Sequence, residues 1–259
     1  MNRIEQRMNA LRSRGEKGLG LFVTAGYPLG DSTPRLVEAL EHGGADIVEL
    51  GMPFSDPLAD GPVIQKSSAE SLSHGTTIGS ILADVRNIRQ KSDIPIVLMG
   101  YVNPILAYGE KRFFAEAADA GVDGLILPEV PLEEYPRFAG TLREHSLAGI
   151  LLVTPASSAE RIKAIDAESS GFLYCVSATG VTGERNERAS AEYLDRIRRD
   201  ARRNPVLVGF GISSPDDARA YAPAVDGVIV GSALIRFLST LPEPDAIGRW
   251  VRAFKDALQ

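Results

Sequence analysis

The sequence lacks the features that are typical of secreted and membrane proteins. Its 259 residues include one cysteine, Cys175, which excludes a disulfide framework and suits a reducing compartment. No apolar run approaches the roughly 18 residues of a membrane span, and the N-terminus lacks the apolar core of a signal peptide. Lys and Arg (28) are outnumbered by Asp and Glu (34), which disfavours nucleic acid and anionic membranes as partners. We therefore expect a cytoplasmic protein.

Short apolar runs recur along the chain with helix-period segments between them. The runs are apolar on both faces, which is typical of parallel strands covered by helices. They predict strands at Leu19–Thr24, Ile47–Leu50, Ile96–Met99, Gly124–Leu127, Ile150–Val153, Leu173–Val176, Val206–Gly209 and Gly227–Val230. Eight such repeats predict a (β/α)8 TIM barrel, with residues 1–259 forming one domain. A doubly wound open sheet is the alternative, but no glycine-rich dinucleotide fingerprint follows the first strand.

The helices between these strands are supported by proline in several first turns and by glycine just past several ends. They are predicted at Thr33–His42, Pro62–His74, Glu110–Ala120, Leu132–His145, Ala159–Ser169, Ala191–Arg202, Pro215–Tyr221 and Asp245–Leu258. Two additions are predicted: a helix at Ile4–Arg14 that covers the barrel floor, and one at Thr77–Ser92 before the third strand.

Barrel chemistry is carried by the loops that follow the strands, and these loops lack several catalytic groups. The three histidines, His42, His74 and His145, lie at predicted helix C-termini, where imidazole complements the helix dipole. No strand ends in lysine, which disfavours Schiff-base chemistry, and no His or Cys cluster has zinc spacing. Carboxylates are therefore the remaining candidates for acid–base chemistry.

Glu49 lies inside the second predicted strand. Alternation places Glu49 and Ile47 on one face of the strand and Val48 and Leu50 on the other. A buried carboxylate is costly unless it is paired or neutral, and desolvation would raise its pKa and suit it to donate a proton near neutral pH. The alternative is a buried structural salt bridge.

The loop after this strand supplies Asp56 and Asp60. Asp60 either caps the following helix or folds back over the barrel mouth toward Glu49. Three carboxylates would also suit a magnesium ion. Such sites draw ligands from successive strand ends, however, and the next two strands end in Met99 and Leu127.

The loops after the seventh and eighth strands are predicted to bind phosphate. They contain residues 209–213 (Gly-Phe-Gly-Ile-Ser) and Gly231-Ser232, which opens a short helix through Ile235. Neither loop has Lys or Arg, so N–H groups and a helix dipole would bind the anion, at the usual phosphate position of such barrels. The alternative is tight turns that need glycine.

Other residues at the mouth could complete a binding site. Four aromatic residues lie at or beside strand ends and either form core or line a slot for a flat ring: Phe22, Tyr101, Tyr174 and Phe210. Residues 177–186 form a polar loop with two glycines, which suits either a closing lid or an ordinary surface loop.

Specific motifs are spread over essentially the whole chain. They are ELGMPFSDPLADGP at 49–62, TAGYP at 24–28, NP at 103–104, TGVTG at 179–183 and GFGI at 209–212. With these motifs the chain resembles the alpha subunit of tryptophan synthase. The resemblance implies cleavage of indole-3-glycerol phosphate to indole and glyceraldehyde 3-phosphate in L-tryptophan biosynthesis. A standalone lyase that releases indole, or a different phosphosugar barrel, remains an alternative.

The resemblance also implies residue roles. Glu49 is expected to be the principal acid–base group and Asp60 the second carboxylate. Without lysine or metal, indole itself can accept electrons once it is protonated at C3, with Glu49 as the donor and Asp60 facing the ring nitrogen. Substrate contacts are expected from Phe22, Tyr174, Thr182, Gly183, Phe210, Gly211, Gly231 and Ser232.

A beta subunit is the partner implied by the resemblance, in a tetramer of two alpha and two beta chains. Pyridoxal phosphate would belong to that subunit, and this chain would hold no cofactor. The apolar loops Met52–Phe54 and Pro104–Tyr108 either contact the partner or pack on their own barrel rim. One departure from the family pattern is Glu129, where the family usually has Asp; it is expected to affect lid closure or partner coupling.

Overall fold

The computed structural model describes residues 2–176 and 190–259. Within these ranges nine strands form one parallel sheet, in the order β5-β4-β3-β2-β1-β9-β8-β7-β6. Their bounds are β1 Gly18–Thr24, β2 Ile47–Gly51, β3 Ile96–Met99, β4 Gly124–Ile126, β5 Ala148–Gly149, β6 Leu152–Val153, β7 Leu173–Val176, β8 Val206–Gly209 and β9 Gly227–Val230.

The sheet closes on itself through residues 148–153. β5 pairs with β4 and β6 pairs with β7, so one segment carries both ends of the strand order. Between them, the Ile150 N–H donates to the Leu125 carbonyl and the Tyr174 N–H donates to the Leu151 carbonyl. Eight strand positions therefore close a ring, which confirms the predicted (β/α)8 class. The predicted strand Ile150–Val153 is wrong in detail, because the segment breaks where it passes from one neighbour to the other.

The helices of the described residues follow the predicted order. They are α1 Arg3–Ser13, α2 Thr33–Gly43, α3 Pro62–Ser73, α4 Ile78–Arg89, α5 Val102–Tyr108, α6 Glu110–Ala120, α7 Pro136–Glu144, α8 Ala159–Glu168, α9 Ala191–Asp200, α10 Pro215–Tyr221, α11 Ser232–Leu238 and α12 Pro244–Asp256. None is long and apolar enough to cross a membrane within the ranges described.

Most helix ends differ from the sequence prediction by one to three residues, and two helices differ more. α5 was expected to be a loop, but Pro104 lies in its first turn, where a missing N–H costs no helical hydrogen bond. α7 begins at Pro136 rather than Leu132, because the residues before it form turns.

Alternation along the strands separates two cores. Val48 and Leu50 pack outward with the helices, whereas Ile47 packs inside the barrel. α1 closes the floor as predicted, since Ile4 and Met8 join the inner cluster. The inner face of β2 therefore carries Ile47 and Glu49.

Ion pairs fasten the floor of the barrel. Asp123 lies 2.6 Å from the Arg89 guanidinium and 3.1 Å from that of Arg3. Asp46 lies 2.6 Å from the Lys255 ammonium and also accepts the Leu19 N–H at 2.8 Å. The buried carboxylates at this end are thus neutralised by partners.

Candidate active site

Glu49 lies within the barrel interior. Its strand neighbours by register are Phe22 on β1 and Val97 on β3. The Glu49 side chain is fully buried, and neither carboxyl oxygen has a hydrogen-bond partner among the residues that the structure describes. This finding argues against the structural salt bridge considered above.

Burial raises the pKa of Glu49 to about 8, because the charged form loses its hydration without gaining a partner. The carboxyl is therefore mostly protonated at pH 7 and can act as an acid. Burial raises the pKa of Tyr174 on β7, and the negative charge of Glu49, when that carboxyl is ionised, raises it further. A buried titratable group without a partner and with a shifted pKa is typical of a catalytic acid.

Asp60 folds back over the mouth and does not cap α3. Gly61 occupies the N-cap position of that helix. The Tyr101 hydroxyl donates to Asp60 Oδ2 at 3.0 Å, and the same hydroxyl accepts the Ala59 N–H at 3.0 Å. Desolvation raises the pKa of Asp60, and the bond from Tyr101 opposes that rise. Tyr101 was predicted only as part of an aromatic slot, and its bond to Asp60 was missed.

Asp56 differs from both of these carboxylates. Its side chain is exposed and accepts a hydrogen bond from Ser55 at 2.5 Å. Among residues 2–176 and 190–259, no group of three His, Cys, Asp or Glu residues is arranged to hold a metal ion.

Glycines at the strand ends make room for aromatic rings. A Cβ on Gly51 would overlap the Phe22 ring, and one on Gly209 would overlap the Tyr174 ring. The Phe210 ring meets Tyr174 edge-on, with centroids 5.9 Å apart. Tyr174 and Phe210 belong to or pack against the inner cluster of the barrel, and Phe22 is the register neighbour of Glu49, so the surroundings of the acid are aromatic and apolar.

The two glycine-bearing loops lie at neighbouring strand ends. Phe210 and Gly211 follow β8 with φ of 68° and 73°, and this left-handed turn is uncommon for phenylalanine. Gly231 and Ser232 follow β9 and start α11. Since β8 and β9 pair in parallel, both loops emerge side by side.

Asp217 is a residue that sequence reasoning missed at this edge. Its Oδ2 accepts the N–H groups of Ser213 and Ser214, each at 3.0 Å. This capping box fastens the end of the loop after β8 to α10. The pattern Ser-x-x-Asp was the available signal.

Comparisons with known proteins agree with one another. A family model described as tryptophan synthase alpha chain matches residues 8–251. The tryptophan synthase alpha chain of Citrifermentans bemidjiense is 46% identical over 263 residues, covering 100% of this chain and 98% of the relative. The chain belongs to the tryptophan synthase alpha chain family.

Solved structures of the family share the fold. Tryptophan synthase subunit alpha from Legionella pneumophila has a TM-score of 0.89 at 36% identity, covering 100% of this chain and 98% of that one. A chain of Mycobacterium tuberculosis tryptophan synthase has a TM-score of 0.91 at 33% identity, covering 99% and 98%. The family and the barrel fold expected from the motifs are therefore confirmed, and with them the class of lyase in tryptophan biosynthesis.

Part of the site expected from the family lies outside the described residues. This applies to Thr182 and Gly183 and to the predicted lid at 177–186. Of the other predicted site residues, Glu49, Phe22 and Tyr174 border the interior, and Tyr101 holds Asp60 at its rim.

Proposed function

We propose that this chain cleaves indole-3-glycerol phosphate to indole and glyceraldehyde 3-phosphate, with Glu49 as the proton donor. The observation that carries the proposal is the Glu49 carboxyl, which is fully buried and unpaired within the described residues. Its pKa of about 8 keeps the proton available at neutral pH. Family membership supplies the substrate class.

The cleavage requires an electron acceptor on the indole ring. Glu49 donates its proton to C3 of the ring, and positive charge then develops on the ring nitrogen. Ionised Asp60 stabilises that charge. As the bond between C3 and the side-chain carbon breaks, its electron pair returns to the ring and a carboxylate takes the hydroxyl proton. The products are neutral indole and an aldehyde, so protons and electrons balance.

The remaining predicted contacts divide between the two ends of the substrate. Phe22, Tyr174 and Phe210 border the interior beside Glu49 and suit the indole ring. The N–H groups of Gly211, Gly231 and Ser232 suit the phosphate, because β8 and β9 place their loops side by side. Thr182 and Gly183 remain part of the proposal from the motif alone.

We further propose a beta subunit as the partner, in a tetramer of two alpha and two beta chains. Pyridoxal phosphate would be bound by that subunit. On the two loops expected to face the partner, Leu58 is 89% exposed and Leu106 is 44% exposed. A cavity of about 570 Å³ lies between residues 52–55 and α5, and its lining is mainly apolar.

The proposal includes a cytoplasmic location, which the single buried Cys175 suits.

Steady-state release of indole from indole-3-glycerol phosphate tests the function, measured with and without the cognate beta chain. We expect slow cleavage by the chain alone and a rise of at least about tenfold with the partner, which corresponds to roughly 1.4 kcal/mol. Absence of cleavage under both conditions would contradict the proposed function. A full rate that ignores the partner would identify a standalone lyase.

A variant of the loop after β2 tests the partner surface. Asp56→Ala should reduce the rise caused by the beta chain more than it reduces the basal rate, because Asp56 is exposed beside Leu58. Asp119→Ala is the matched control, since it removes an exposed carboxylate near the C-terminus of α6, at the opposite end of the barrel. Equal effects of the two substitutions would place the partner elsewhere.

A further inference from the structure

Glu129 lies on the loop after β4, at the same end of the barrel as Asp60. It is exposed, yet its Oε1 accepts the Val102 N–H at 2.5 Å. Val102 is the first residue of α5, so the bond joins the loop after β4 to the helix after β3.

The N-terminus of α5 depends on a cap from outside the helix. The first N–H groups of any helix lack partners within it, and a side-chain oxygen at the N-cap normally accepts one. Here the N-cap residue is Tyr101, whose hydroxyl is directed instead to Asp60 Oδ2 and the Ala59 N–H. Glu129 supplies the missing acceptor, and its charge complements the positive end of the helix dipole.

Three loops are connected in this way. Asp60 follows β2, Tyr101 follows β3 and Glu129 follows β4, and each contact joins segments that are distant in sequence. Glu129 holds the residue next to Tyr101 by its backbone, so it restricts where the phenol can lie. The Glu129 charge also acts on Tyr101 through space, as one of the contributions that raise the pKa of that phenol after desolvation and Asp60.

We infer that Glu129 is a positioning residue, which fixes the start of α5 so that Tyr101 holds Asp60 in its orientation for the ring nitrogen. The inference rests on the proposed function of Asp60. A Glu129 that only caps a surface helix would contribute to stability alone. The two roles differ in kinetics, because an effect through Asp60 acts on turnover and leaves the distant phosphate contacts unchanged.

Four variants test the inference with indole release as the assay. Glu129→Ala should lower kcat about three- to tenfold and leave KM within about twofold. Glu129→Gln should lie between this variant and wild type, because an amide oxygen still accepts the bond without the charge. Glu134→Ala is the matched control, since Glu134 is an exposed glutamate of the same loop, and it should match wild type. Tyr101→Phe should lower kcat by removing the bond to Asp60.

A double-mutant cycle tests whether Glu129 affects turnover through Tyr101. If Glu129 acts through Tyr101, the variant with both Glu129→Ala and Tyr101→Phe should be no slower than Tyr101→Phe alone. Losses that multiply would overturn the inference. So would an unchanged kcat in Glu129→Ala together with a lowered melting temperature, which indicates a helix cap only.

The assay is run with and without the beta chain. A loss of kcat that appears only with the beta chain would assign Glu129 to the partner surface and overturn the inference. Should Glu129→Ala fail to fold, Glu129→Gln and its double variant with Tyr101→Phe decide the question. An inactive wild-type chain would instead contradict the proposed function, so the two failures are distinguishable.

Discussion

Buried carboxylates at the floor of the barrel have several hydrogen-bond partners, whereas those toward its mouth have one or none. Asp123 at the floor is 3% exposed and accepts bonds from two guanidinium groups and the Ile96 N–H. Glu49, the middle residue of β2, is 0% exposed and has no partner among the described residues. Asp60 receives one hydroxyl.

This difference separates stability from chemistry. A buried carboxylate with complete partners holds elements together, because removing a partner would leave a charge buried without compensation. A buried carboxyl without partners keeps its proton near neutral pH and can give it away. The floor carboxylates therefore secure α1 and α12 to the sheet, whereas Glu49 and Asp60 are the carboxylates proposed above to act on the substrate.

The largest expected effect is on turnover at the mouth. Glu49→Gln keeps the shape of the side chain but removes the acidic proton, so indole release should fall by roughly 100- to 10,000-fold. The circular dichroism spectrum should match wild type. Activity within about threefold of wild type would mean that the proton comes from another group.

The corresponding change at the floor should affect stability and leave turnover unchanged. Asp123→Ala leaves the Arg89 guanidinium buried without its carboxylate, at a cost of about 3–5 kcal/mol in the free energy of unfolding. Denaturant unfolding measures the cost. In the fraction that remains folded, kcat should stay within about twofold of wild type. A loss of kcat comparable to that of Glu49→Gln would contradict the assignment of the floor carboxylates to stability and the mouth carboxylates to chemistry.

The contribution of Glu49 to the stability of the wild type should depend on pH in the opposite sense to that of an ordinary salt-bridged carboxylate, and Glu49→Gln should abolish this dependence. Between pH 4.5 and about 8 the folded state holds a proton that the unfolded state has released, so stability of the wild type falls as pH rises through this window. Glutamine removes that penalty. The variant should unfold like wild type near pH 4.5 and be more stable by on the order of 2–4 kcal/mol at pH 9. Equal stability at both pH values would show that Glu49 is paired in solution.

A smaller effect is expected at the proposed phosphate loops. A methyl group on Gly231 would lie 3.4 Å from Phe22 Cβ, at the start of α11 and without a positive φ. The added methyl group should be tolerated by the fold but should hinder phosphate from approaching the Gly231 and Ser232 N–H groups. Gly231→Ala should therefore raise KM about three- to tenfold with little change in kcat. Gly248→Ala is the control, because a methyl group there meets open space on α12. A fall in kcat at unchanged KM would contradict the phosphate assignment.

The smallest effect concerns the pH profile. Activity should fall as pH rises through about 8, because Glu49 loses its proton. On the acid side it should fall as Asp60 becomes protonated. The Tyr101 bond lowers the pKa of Asp60 against the effect of burial, so Tyr101→Phe should move the acid limb to higher pH. The pH profiles of kcat/KM for the wild type and Tyr101→Phe measure the shift. An acid limb at the same pH in both would mean that this limb does not report the titration of Asp60.

The sequence predicted most of the architecture because periodicity is a local signal. β3, β7, β8 and β9 have the bounds that their apolar runs predicted, and so has α6. α5 was missed because it is short and its proline and polar neighbours resemble a loop. The break between β5 and β6 arises from hydrogen bonding to two different strands, which no local pattern records.

By itself the sequence determined the fold class, the family motifs and the burial of Glu49, since each follows from residue types at fixed spacing along one segment. Only the tertiary structure decided what surrounds that carboxyl and what holds Asp60. The Tyr101 hydroxyl reaches Asp60 across 41 residues, and Glu129 reaches Val102 across 27. Such contacts depend on which strands become neighbours when the barrel closes. Whether a buried acid is paired or left free is therefore decided by folding, because its partners come from other parts of the chain.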